Sequence, residues 1–135
     1  MLDPAFFDAA TGEPKPTLFE DTSSRGASTN RRQYVSDQQL HARGIERAAQ
    51  ATAQSTRPKT YIGFVSVGAR DVRSITTELN GAPCRAFGVY DTAQESDPSH
   101  ADICQLIRGR AAARSVRSQL YQLAKGTLCR PDHTQ

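Results

Sequence analysis

Between Ile103 and Pro131 the chain has no aspartate or glutamate, yet Arg108, Arg110, Arg114, Arg117, Lys125 and Arg130 all fall there. Arg110, Arg114, Arg117, Tyr121 and Lys125 share the spacing of a single helical face. A solvated helix face ordinarily mixes signs, because opposite charges one turn apart stabilise and like charges destabilise by about 0.2–0.5 kcal/mol. Here the like-charge cost recurs at each turn, and an anion outside the helix would offset it. Nucleic-acid phosphate fits, since guanidinium groups bind it bidentately and Tyr121 would add a stacking or hydrogen-bonding surface. An acidic protein surface, the acidic segments of the chain itself, or a plain basic surface with no partner would fit the same stripe.

A second constellation is Tyr90-Asp91, followed by Asp97-Pro98-Ser99-His100-Ala101-Asp102. Read as a loop beyond a strand that runs into a helix N-terminus, it favours an anion. His100 would serve as general acid or base, with Arg108 or Arg85 steadying a phosphate, alongside Tyr90 and Asp91. That set describes a small phosphodiester-cleaving enzyme resembling a ribonuclease toxin. The same residues also have an ordinary reading. Asp91 and Asp97 suit turn and cap positions, Asp102 complements a helix dipole, and the acids would repel a phosphate.

A third possibility lies near the N-terminus, where Leu2-Phe6-Phe7 and Leu18-Phe19 are short apolar clusters flanked by acids. Phe6, Phe7, Leu18 and Phe19 would then dock on a protein partner, making the chain an inhibitor or adaptor.

Cys84, Cys104 and Cys129 form no C-x-x-C pair, and His41, His100 and His133 fall at no metal-ligand spacing from them. They read as free thiols in a reducing cytoplasm, with Cys84 and Cys104 on core faces, and neither a metal nor a cofactor is expected. No phosphate-binding glycine loop, zinc-protease motif or nucleophile elbow occurs.

The elements that would position these residues must come from 135 residues of which 37% are hydrophobic, with no tryptophan. No apolar run is long enough to span a bilayer, and the first residues lack the pattern of a secretory signal. The net charge of +3 is segregated into four blocks of alternating sign. Residues 1–21 and 60–102 are acidic, and residues 22–59 and 103–135 are basic. Such segregation points to an anionic partner or to contact between blocks.

Residues 1–58 read as a flexible N-terminal region, broken by Pro4, Pro14 and Pro16, with one weak helix over 37–54 opened by the capping box Ser36 to Gln39. A compact domain follows over 59–126, and 127–135 is a C-terminal tail. Within the domain, Thr60–Val67 reads as a strand and Ala69 to about Leu79 as a helix stopped by Asn80-Gly81. Cys84–Asp91 reads as a second strand, parallel to the first through a right-handed crossover. Asp97-Pro98 opens a long helix, kinked or broken near Gly109 into 98–108 and 110–125. The expected fold is therefore a small α+β protein of order β-α-β-α. Two strands make a marginal sheet, so a third must come from the tail, from a further hairpin in the chain, or from a second copy in a homo-oligomer. The expected function is a non-enzymatic, cytoplasmic binding or regulatory protein that engages nucleic acid, DNA or RNA, through its last helix.

Overall fold

Residues 100 to 105 alternate inward and outward: Ala101 and Ile103 are buried, while His100, Asp102 and Cys104 are less so. That period of two makes His100–Gln105 a strand, and in the computed structural model it is the central one. The structure describes residues 7, 8, 10–24, 26–54 and 58–131. In chain order its elements are β1 (Phe7–Asp8), β2 (Glu13–Pro14), a 3-10 segment (Pro16–Ser23), β3 (Ala27–Asn30), a short 3-10 turn (Arg32–Tyr34), α1 (Asp37–Ala53) and α2 (Ala69–Ser74). They continue with β4 (Thr76–Leu79), β5 (Ala82–Arg85), β6 (Phe87–Asp91), β7 (His100–Gln105) and α3 (Arg110–Ala124).

The class is α+β, but the arrangement differs from the expected β-α-β-α crossover. Every strand pair is antiparallel, and the main sheet has the order β3-β7-β6. The third strand comes from the chain itself: Ala27 lies opposite Ile103 and Asn30 opposite His100. A second copy is not needed to complete the sheet. One face of the sheet carries Phe87 and Ile103, and Val72, Ile75, Val116, Leu120 and Ala124 from α2, its C-terminal flank and α3 close over it. Phe19, from the 3-10 segment, is 6% exposed within this cluster. The segment thus belongs to the folded core, and the boundary expected at residue 58 falls inside it.

Three local readings change for identifiable reasons. Asn80 and Gly81 have φ of 53° and 82°, so they form the two-residue turn of the β4–β5 hairpin rather than a helix stop. The helix expected to reach Leu79 ends at Ser74. Asp97 accepts hydrogen bonds from the Ser99 backbone N–H (3.3 Å) and hydroxyl (2.6 Å). An N-cap uses the same short-range bond, but here the chain continues extended into β7 instead of a helix over 98–108. Gly109, at φ 101°, is where α3 begins and not a kink within a helix.

The segment 60–67, expected as the clearest strand, forms no strand beyond an isolated bridge at Phe64. Its backbone is met by the residues after α3: Phe64 and Cys129 exchange both backbone hydrogen bonds, at 3.0 and 2.7 Å. Ser66 N–H donates to the Thr127 hydroxyl, which donates in turn to the Ala124 carbonyl. Residues 127–130 are therefore docked and do not fray. The capping box of α1 forms as expected, with Ser36 and Gln39 bonded reciprocally.

Candidate nucleic-acid interface

α3 buries Ala113, Val116, Leu120 and Ala124, which recur at 3- and 4-residue steps and define its core stripe. The basic positions flank that stripe. Arg110, Arg114 and Lys125 are exposed, as is Arg108 just before the helix. Arg117 lies nearest the core, half-buried, and its Nε donates to the Ala113 carbonyl at 3.3 Å. Tyr121 is also half-buried, and its hydroxyl donates to the Pro14 carbonyl at 2.8 Å. That bond takes the Tyr121 hydroxyl out of the set available to a ligand. The basic face is reduced to Arg110, Arg114, Arg117 and Lys125, with Arg108 just before the helix.

The start of α3 adds a feature hidden by reading 98–108 as helix. No side chain caps the helix at Gly109, and its first turn holds no acid. The first intrahelical bond is donated by Ala113 to the Gly109 carbonyl, which leaves the N–H groups of the preceding turn pointing outward. Arg110 at the positive end of the helix dipole costs about 0.3–1 kcal/mol unless an anion sits there. Arg108 and Arg110 are exposed on either side of Gly109 in the sequence, at the uncapped start of α3.

The acidic N-terminal block packs against α3. The 3-10 segment packs on α3 through Phe19 and Leu18, and β2 meets it through Pro14. Even so, among the described residues no carboxylate lies within 4.0 Å of Arg108, Arg110, Arg114, Arg117 or Lys125. The Glu13 Oε2 atom, adjacent to Pro14, is buried and has no hydrogen-bond partner.

The second constellation is not brought together. His100, Tyr90 and Asp91 lie at one end of the sheet, with Asp91 opposite Ala101 and Tyr90 opposite Asp102. Arg108 lies past the other end of β7, about 16 Å or more away at 3.3 Å per strand residue. His100 Nδ1 is engaged by the Thr92 hydroxyl at 2.5 Å, and Asp91 pairs with Arg31 at 3.3 Å. These residues hold a turn. Arg31 also donates to the Pro98 carbonyl at 2.6 Å, so the Asp91–Pro98 connection is tied to the end of β3.

Beside that turn, Arg43 of α1 donates to Asp97 (3.3 Å) and to the Ser99 hydroxyl (3.2 Å), and Asn30 also donates to that hydroxyl. The hydrogen bond from Ser99 holds the Asp97 carboxyl below its ordinary value; burial opposes this and the Arg43 charge reinforces it. This network fastens α1 to the sheet.

The aromatic docking set is also accounted for. Phe19 is in the core and Leu18 packs against it. Phe7 in β1 lies under the Arg130 guanidinium, 5.4 Å from its ring centre. Phe6 lies outside the described residues. The three placed residues are committed within the chain, which corrects their reading as a free docking motif.

Among the described residues no group of three or more histidines, cysteines, aspartates or glutamates could hold a metal ion. No helix there is long and apolar enough to cross a membrane. Comparison of the chain with protein-family models, curated proteins and solved structures finds no match.

Proposed function

We propose that this chain is a small, non-enzymatic binding protein that engages nucleic acid through the basic flank and N-terminus of α3. One observation carries the reading: the acidic block of the same chain packs on α3, yet its carboxylates form no ion pair with the α3 cations among the described residues. An external polyanion would offset the like-charge repulsion that no contact-range pair within the described residues offsets. Arg108, Arg110 and Arg114 are exposed at the end of the helix where unpaired N–H groups face outward. Phosphate oxygens suit both donor types. This reading takes the protein to work in the cytoplasm, where its three free cysteines would remain reduced.

The test is a titration of the full chain with duplex and single-stranded oligonucleotides over a range of salt. Binding whose log affinity falls linearly with log salt supports the reading, and a duplex-to-single-strand preference identifies the substrate form. Absence of salt-dependent binding to either would reject it and favour an acidic protein surface as the partner.

A further inference from the structure

His41 on α1, Tyr61 in the segment between α1 and α2, and Cys129 after α3 come from three distant parts of the chain and meet at one point. The His41 Nδ1 atom is 2.8 Å from the Tyr61 hydroxyl, and the His41 Nε2 atom is 3.7 Å from the Cys129 sulfur. The Tyr61 and Phe64 rings pack against the imidazole, with centroids at 5.8 and 5.0 Å. Two glycines permit the approach. A Cβ on Gly44 would come within 2.2 Å of the Tyr61 ring, and one on Gly63 within 2.3 Å of the Cys129 carbonyl oxygen. The paired backbone bonds between Phe64 and Cys129 fix the sulfur beside the imidazole.

This is the order nucleophile, base, orienting group: a thiol facing one imidazole nitrogen, with the other nitrogen held by a hydroxyl. In the tautomer whose Nδ1–H donates to the Tyr61 hydroxyl, Nε2 is free to take the thiol proton. Burial pushes the Tyr61 hydroxyl up to about 12, reinforced by negative charge at Cys129, so it stays neutral and can accept from Nδ1–H whether or not the imidazole is charged. Tyr61 and Phe64 also wall a cleft of about 80 Å³ that continues past Asn30 and Leu40. Its charged lining residues are Arg43 and Arg47, with no acid among them. Cys129 is partly exposed.

We propose that Cys129 is a reactive thiol that exchanges with small anionic disulfides, with His41 as its proton acceptor and Tyr61 as a positioning residue. The Cys129 S–H proton passes to His41 Nε2. The thiolate attacks one sulfur of the incoming disulfide, a Cys129–S–S–R bond forms, and the original S–S bond breaks. The departing thiolate takes a proton from the imidazolium. The Cys129 sulfur is oxidised as the leaving sulfur is reduced, so atoms and electrons balance without a further reagent. The Arg47 guanidinium attracts the anionic groups of the disulfide, Arg43 being paired with Asp97.

The experiment treats the full chain with limiting 5,5′-dithiobis(2-nitrobenzoate), an anionic disulfide, and follows each cysteine by mass spectrometry near pH 7. Cys84 and Cys104 are internal references. Burial, with the nearby Asp102 charge, pushes the Cys104 thiol up and makes it the slow standard. Cys129 should react about ten-fold faster than Cys84 or Cys104. His41→Gln should remove that advantage. Tyr61→Phe, which keeps the ring, should reduce it and shift the Nδ1/Nε2 tautomer balance of His41 seen in long-range proton–nitrogen spectra. Arg47→Gln should lower the rate with the anionic disulfide relative to neutral 2,2′-dithiodipyridine. Equal wild-type rates at Cys129 and Cys84 would overturn the proposal without recourse to any variant. An unchanged Cys129 rate in folded His41→Gln would overturn it too. An unchanged anionic-to-neutral ratio in Arg47→Gln would overturn the anionic class of partner.

Discussion

Tyr121 reaches across 107 residues of sequence to donate its hydroxyl to the Pro14 carbonyl, and this bond anchors the N-terminal hairpin to α3. A residue whose spacing places it on the basic stripe is thus used for structure. The bond separates stability from binding. Tyr121→Phe keeps the ring and loses one hydrogen bond, so it should cost about 1 kcal/mol in urea unfolding. Its nucleic-acid affinity should stay within about two-fold of wild type, because the ring itself does not present its hydroxyl outward. A large affinity loss at unchanged stability would return Tyr121 to the binding face.

The arginines should show the opposite pattern. Arg110→Ala and Arg114→Ala remove exposed cations, and alanine is the better helix former, so stability should hold or rise slightly. Each lost phosphate contact should lower the slope of log affinity against log salt by about 0.9 on duplex DNA. Arg117→Ala should weaken binding similarly while also costing some stability, since its stem is half-buried and its Nε is bonded to Ala113. Paired salt titrations and urea melts on the three variants check both quantities. Slopes that do not change would place the contacts elsewhere.

The expectation of a flexible region to residue 58 is tested most directly through Phe19. At 6% exposure among Val72, Phe87 and Leu120, truncation to alanine should cost about 3–5 kcal/mol. For a domain this small that is a large share of the 5–15 kcal/mol typical of native stability. Deleting residues 1–35 would remove Phe19 and β3 together, and should abolish cooperative unfolding. A truncated chain that still melts in one sharp transition would show that the segment is dispensable.

What could be read from the residues divides along physical lines. The α1 capping box and the buried stripe of α3 are local signals that decide their own geometry, and both elements form. Asn80-Gly81 carries two compatible meanings, helix stop and hairpin turn, and the strands on either side decide between them. Ile103, Leu106 and Ile107 fit a helical period, whereas Ala101 and Ile103 fit a strand period. Pairing with β3 and β6 on both sides settles the choice for the strand. The exposed arginines of α3 were legible because a charge stripe needs only the helix. The His41–Tyr61–Cys129 cluster had no local signal. Its members are 20 and 68 residues apart along the chain, and the Phe64–Cys129 and Ser66–Thr127 bonds bring the last two together.

Asp97 gives a pH dependence with a defined sign. Its folded value is lowered, first by the Ser99 hydroxyl bond and further by the Arg43 charge. A carboxyl held below its unfolded value, about 3.9, stabilises the fold fully above that value. The contribution is lost as pH falls through the lower folded value. Stability should therefore decline on the acid side below about pH 4, with protonation releasing Arg43 and loosening α1 from the sheet. Asp97→Asn removes the charge at all pH, so the gap in unfolding free energy between wild type and variant should be widest near pH 7 and narrow towards about pH 2. Ser99→Ala should shrink the gap, because it deletes the largest cause of the lowered value and leaves the Arg43 attraction. Urea melts of the wild type, the two single variants and the double variant across that range measure the effect. A gap independent of pH would mean that Asp97 titrates alike in the folded and unfolded chain, and that its bonds to Ser99 and Arg43 do not favour the charged form.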